Sequence, residues 1–215
     1  MAAIEITPTD IQDELVNLAR DFAANEIRPV AAHYDETEET PYEPFYKAAE
    51  IGLTCYDLPE QYGGGGIHDL TTCIRIHEEL TYGDAAIGNF IGSASFFGGV
   101  IVEMGTEAQK ERWITPLCGP KPKFGALATT EPGAGSDASA ITTHAEPVEG
   151  GYRLNGSKTW ISNAGVASYY IVFATVAPGT RSKGITAFIV EDGDEGFTVG
   201  DRKSTRLNSS HGYIS

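Results

Sequence analysis

Residues 130–137 read TEPGAGSD, and residues 155–165 read NGSKTWISNAG. The first stretch places two glycines, a proline and short polar side chains in one loop. Gly133 and Gly135 can take positive φ, which would let successive main-chain N–H groups point the same way and form an anion nest. Ser136 adds a hydroxyl, and Thr129 and Thr130 close the preceding segment with donors and acceptors. Chemistry alone leaves a binding loop and a plain turn equally open. In the second stretch Trp160 is one of two tryptophans in the chain, and Ser162 follows two residues on. Strand side chains alternate, so the two would share a face. A ring to stack and a hydroxyl to hydrogen-bond suit a flat heteroaromatic with edge nitrogens. Taken singly, a core tryptophan and a turn-forming serine are the simpler readings.

Around these stretches the apolar period is close to 2. The segments 124–130, 151–162, 168–176, 184–191 and 196–200 are β-branched and aromatic, with turn residues between them. VEGGYRLNGSK, 148–158, predicts a hairpin turning at Asn155-Gly156. Before Pro120 the period is helical. A first helix is expected from Thr7 as N-cap and Pro8 at the first helical position, with Ile11, Leu15, Leu18 and Phe22 as its apolar face and Pro29 as its limit. Further helices are expected over 41–51, stopped by Gly52, over 70–83, over 84–105, and over 107–117 behind a Thr106 cap. The fold class is therefore α+β: an all-α domain over 1–121, then an antiparallel β-barrel or sandwich over 122–200.

Residues 201–215 are set aside from the fold. Asp201–His211, DRKSTRLNSSH, is abruptly basic and polar and back-translates closely onto a common sequencing-adapter read, which predicts a non-native tail on a chain that continued past Gly200.

Over all 215 residues the apolar content of 41% is globular, and 30 acidic against 15 basic residues give a net charge of −15. A surface this acidic repels nucleic acid and anionic membranes. Cys55, Cys73 and Cys118 are an odd set without CxxC spacing, and the N-terminus lacks a basic or apolar leader, so reduced thiols and a cytoplasmic location are expected. No segment reads as a membrane span; GNFIGSASFFGG, 88–99, is too short and glycine-rich. HEELT, 77–81, carries Thr81 where a zinc-binding HExxH needs histidine, so no metal site is expected. Gly63–Gly66 lacks the Lys-Ser or Lys-Thr of a P-loop and reads as a flexible interhelix loop.

TEPGAGSD followed by NGSKTWISN resembles the middle domain of the flavin-dependent acyl-CoA dehydrogenases. The resemblance extends through LPEQYGGGG, 58–66, and EELTYGDAAIG, 78–88, and covers residues 5 to 200. It implies an α-helical domain, a β-barrel domain and a C-terminal four-helix bundle, the last absent here. It implies FAD as cofactor, with Leu127, Thr129 and Thr130 along the flavin ring, Gly135 and Ser136 reaching cofactor and thioester, Trp160 packing on the isoalloxazine, Ile161 among the cofactor-binding residues, and Ser162 hydrogen-bonding near N5. Many relatives carry threonine at that last position, and serine keeps the hydroxyl.

The reaction the resemblance implies is α,β-dehydrogenation of an acyl-CoA thioester. A carboxylate base takes the α-proton, the β-hydrogen leaves as hydride to the flavin, and hydrogen bonds stabilise the enolate. The base belongs to the missing bundle, so no catalytic residue is assigned, and Glu131 reads as a structural acid. An electron-transfer flavoprotein or similar acceptor and a full-length homotetramer are further implications. A flavin monooxygenase of the same fold, and a non-catalytic flavin or acyl-CoA binding fragment, stay open.

Overall fold

The computed structural model describes residues 9–200 and the main chain of 212–214; the expected Thr7 cap and Pro8, and 201–211, lie outside them. The described chain divides into two compact units. One runs to Ser95 and includes Ile114–Pro122; the other holds Phe96–Trp113 and everything from Lys123 on.

The first unit is helical, with α1 Asp10–Phe22, α2 Arg28–Thr37, α3 Tyr42–Glu50, α4 Leu70–Gly83 and α5 Ala85–Ile91. α1 starts at Thr9, not Thr7: its side chain accepts from the Gln12 N–H, and Gln12 reaches back in a capping box. The buried face is Val16, Ala19 and Phe22, whereas Ile11 and Leu18 are exposed. The apolar stripe is thus rotated from the expected one, toward small residues that let helices approach closely. Pro29 does not end the helix. A π-turn, Ala23–Ile27, precedes α2, and Pro29 falls in the first turn of α2, where its missing N–H costs little. Gly83 lies against this turn: an added Cβ would be 3.0 Å from the Ile27 Cβ and 3.1 Å from the Ala23 Cβ. α4 keeps its expected bounds, capped by the Asp69 carboxylate on the Thr72 N–H at 2.8 Å. Gly63–Gly66 is tied down rather than loose, its four N–H groups donating to Glu60, Pro59, Cys55 and Leu58 carbonyls at 2.9–3.2 Å.

The helical run Ala85–Met104 comprises α5 and α6 Ser93–Met104, with a break at Gly92. Contrary to expectation it is long and apolar enough to cross a membrane by length and composition; 56% of it is buried within the protein, as in a core helix. α7 Glu107–Ile114 begins at Thr106 as expected, through reciprocal Thr106 and Gln109 bonds of 2.8 and 3.3 Å.

In the second unit the strands are β1 Gly125–Ala128, β2 His144–Val148, β3 Gly151–Asn155, β4 Lys158–Ile161, β5 Tyr169–Thr175, β6 Ile185–Glu191 and β7 Gly212–Ile214. The α+β order holds, but the main sheet is mixed rather than antiparallel and does not close into a barrel among the described residues. β5 pairs in parallel with β1 and, at His144–Thr175, with β2, and antiparallel with β6; β2 and β3 form a hairpin. The nearly continuous apolar run of β5 suits this central place. The hairpin turns at Glu149-Gly150, where Gly150 has φ +82°, not at Asn155-Gly156. Asn155-Gly156 instead leads from β3 to β4. Gly156 is required by crowding, since a Cβ there would be 2.7 Å from the Thr143 Cα. Residues 196–200 form no strand, and β7, in the stretch set aside from the fold, pairs with β4.

Candidate functional site

β1 carries the chain to Thr129 and Thr130, and β4 lies beside that end. The Thr159 N–H donates to the Thr130 carbonyl at 2.9 Å. Lys158 Nζ donates to the Thr129 carbonyl at 3.0 Å and to Glu131 Oε1 at 2.8 Å. The two motifs quoted from the sequence are therefore joined through Thr130 and Glu131 of one, with Thr129 just before it, and Lys158 and Thr159 of the other.

The junction is a buried ion pair, with Lys158 and Glu131 side chains only 1% and 4% exposed. Glu131 also accepts from the Thr142 N–H at 2.6 Å, the Thr142 hydroxyl at 2.8 Å and the Thr143 N–H at 3.0 Å. Burial alone would push its carboxyl up, but the Lys158 ammonium and the Thr142–Thr143 donors overcome that and bring it down to about 2. Burial pulls the Lys158 ammonium below its ordinary range, and Glu131 opposes the shift. Glu131 is thus a structural carboxylate, fully engaged and turned inward.

Beyond Glu131 the loop closes on itself: Glu131 and Ala134 exchange main-chain hydrogen bonds at 3.1 Å each, and Ala134 is buried. Gly133 and Gly135 are not at positive φ, so the expected anion nest does not form by that route. Nor would a Cβ at either meet any heavy atom within 4 Å. Nothing in the described chain demands glycine at either position. The far end of the loop is pinned at Asp137, whose two carboxylate oxygens accept from Arg181 Nη2 at 2.8 and 2.7 Å while the Ser139 hydroxyl donates to one of them at 2.6 Å.

Trp160 is 57% exposed and has φ +60°. A left-handed tryptophan is rare, since its Cβ crowds the following carbonyl. Strand β4 ends at Ile161, and its pairing with β7 shifts register between Lys158 and Ile161. Ser162 therefore sits in the turn after the strand, and strand alternation does not relate it to Trp160; both are nonetheless exposed, on either side of Ile161, which is only 1% exposed. Asn163, again left-handed at φ +65°, donates from Nδ2 to the Gly125 carbonyl at 3.1 Å and fixes the turn to the start of β1. Leu127, Thr129 and Thr130 are half-buried, while Gly135 and Ser136 are exposed.

Residues 9–120 match the acyl-CoA dehydrogenase N-terminal domain, and residues 126–214 match the acyl-CoA dehydrogenase middle domain. The chain belongs to the acyl-CoA dehydrogenase family. It is 40% identical over 196 residues to an acyl-CoA dehydrogenase of Bacillus subtilis (strain 168), covering 91% of this chain and 51% of that one. Among solved structures it resembles butyryl-CoA dehydrogenase from Megasphaera elsdenii, at 36% identity and a TM-score of 0.88 over 98% of this chain and 57% of the other. It also resembles an FAD complex of PigA, at 26% identity and a TM-score of 0.87 over 99% of this chain and 57% of the other. The chain spans about half the length of the curated relatives it matches.

For a member of the acyl-CoA dehydrogenase family, the residues at the junction fit a flavin. An exposed indole follows directly on the residue bonded to Thr130, the half-buried Thr129 and Thr130 end the strand, and the space beside Gly133 and Gly135 is open. Lys158, Asn163 and the Asp137–Arg181 pair were not singled out from the sequence. The signal for Lys158 was a lysine two residues before Trp160 in a β-forming run.

Proposed function

We propose that this chain supplies the flavin- and thioester-binding half of an FAD-dependent enzyme that dehydrogenates an acyl-CoA thioester to the trans-2-enoyl-CoA. The observation that carries it is the Thr159–Thr130 hydrogen bond of 2.9 Å, which sets the exposed Trp160 beside the strand end Leu127–Thr130. When bound, the flavin supplies the hydride-accepting chemistry. Trp160 offers a stacking surface, Thr129 and Thr130 meet a polar ring edge, and the Ser162 hydroxyl orients the reacting edge. Gly135 lets a thioester end approach without a Cβ in the way, and Ser136 offers it a hydroxyl. Ile161 anchors the platform from below through its burial. No residue of this chain is assigned as the base that takes the α-proton; Glu131 is excluded from that task by its buried partners.

The same reading takes 1–121 and 122–200 as the two domains and residues 201–215 as a non-native tail. It takes an electron-transfer flavoprotein or similar acceptor as the electron sink. A cytoplasmic homotetramer is the expected full-length form.

The full-length gene product mixed anaerobically with butyryl-CoA tests the assignment. Bleaching of its flavin absorbance is the expected result. Bound flavin that no acyl-CoA reduces would contradict the dehydrogenase and favour the monooxygenase.

A further inference from the structure

A charged lysine with 1% of its side chain exposed is a costly thing to bury. Lys158 is not at the surface of the proposed site, and its ammonium touches no exposed group there: its partners are the Glu131 carboxylate and the Thr129 carbonyl. Apolar residues of similar volume often stabilise as well as such a pair, so stability is a weak reason for its presence. Its location gives a better one. Two residues on, Trp160 holds φ +60°, and three further on, Asn163 holds φ +65°. Backbone strain of this kind persists only where the surroundings over-determine it. The segment 158–163 is fixed at both ends: by Lys158 to Thr129 and Glu131, and by Asn163 Nδ2 to the Gly125 carbonyl at 3.1 Å. Between these anchors the β4 register shifts.

We propose that Lys158 and Glu131 are positioning residues: the buried pair locks the start of β4 to the end of β1, and so holds Trp160 in its left-handed conformation with the indole presented outward. Glu131 joins the two motifs through Lys158 and also grips Thr142 and Thr143 behind the loop. The pair thereby ties the aim of the indole to the Pro132–Asp137 loop. Its consequence for cofactor binding rests on the flavin reading above; its consequence for Trp160 does not.

The test separates the two. In the 215-residue chain carrying Trp113→Phe, Trp160 is the sole tryptophan. Its emission and acrylamide quenching are compared with and without Lys158→Met/Glu131→Leu, a double replacement that leaves no orphaned charge. The proposal expects the double variant still to unfold cooperatively, at a temperature lowered by the Thr142 and Thr143 donors it leaves unpaired, yet with Trp160 quenching altered at least twofold. In the full-length protein the FAD dissociation constant is expected to rise about tenfold. An unchanged Trp160 signal in a folded double variant overturns the proposal, whatever happens to FAD. Loss of the cooperative transition makes the pair a stability element and also overturns it. An altered Trp160 signal with unchanged FAD affinity upholds the positioning role and instead sinks the flavin reading.

Discussion

Lys158 and Glu131 meet at 2.8 Å across 27 positions of sequence, and their side chains are almost wholly shut off from solvent. One contact thus staples the two stretches of sequence that make up the proposed site.

Breaking that contact from one side is expected to be severe. Glu131→Gln leaves the ammonium buried without a counter-charge, and a loss of about 3–5 kcal/mol is expected. Urea unfolding followed by circular dichroism measures it. A loss near zero would mean that Lys158 sheds its proton or reaches water.

The same carboxylate sets a pH dependence. Its folded value of about 2 lies below the ordinary 4.5, so its contribution to stability is complete above pH 4.5 and drains away as the pH falls toward 2. The shift corresponds to about 3 kcal/mol. The urea midpoint of the wild type should therefore fall between pH 5 and pH 2.5 more steeply than that of Glu131→Gln. Parallel slopes would show that Glu131 titrates normally.

Two glycines of the second unit give a contrast. A Cβ on Gly125 would strike the Phe97 ring, 2.6 Å from its Cγ, and Phe97 is fully buried. Gly125→Ala is expected to cost about 1–3 kcal/mol. A Cβ on Gly135 meets nothing within 4 Å, so Gly135→Ala should leave the melting temperature unchanged. In the full-length protein that same change is expected to weaken cofactor or acyl-CoA binding. Tight binding by Gly135→Ala would show that no ligand approaches the loop there.

Asp84 ends the Leu70–Gly83 helix and opens the next, its carboxylate accepting from the Ala86 and Ile87 N–H groups at 3.0 and 2.9 Å. Asp84→Ala should cost about 1 kcal/mol. Hydrogen exchange at those two amides should quicken before any other in Ala85–Ile91.

Much of this was legible in the residues themselves. The Leu70–Gly83 helix kept its expected bounds because cap, apolar period and terminal glycine agree there. The candidate loop and Trp160 stand out in the sequence because motif and resemblance coincide there. What was not legible depends on contacts distant in sequence. The first helix buries Val16 and Ala19 rather than Ile11 and Leu18, a choice made by close helix approach and not by hydrophobicity. Pro29 was tolerated because a π-turn precedes it. Asn155-Gly156 looked like a hairpin turn, but its glycine answers to Thr143 across the sheet. His144–Val148 was missed because its sequence, HAEPV, carries little strand signal and forms by pairing with β3. The parallel β1–β5 pairing, which keeps the sheet mixed, has no local signature at all.

The central claim is that the exposed indole of Trp160 and the strand end Leu127–Thr130 together receive a flavin. The FAD dissociation constant of the full-length protein, wild type against Trp160→Ala, measures this most directly. A value about tenfold weaker is expected, in a variant that keeps its melting temperature. An unchanged dissociation constant would contradict it.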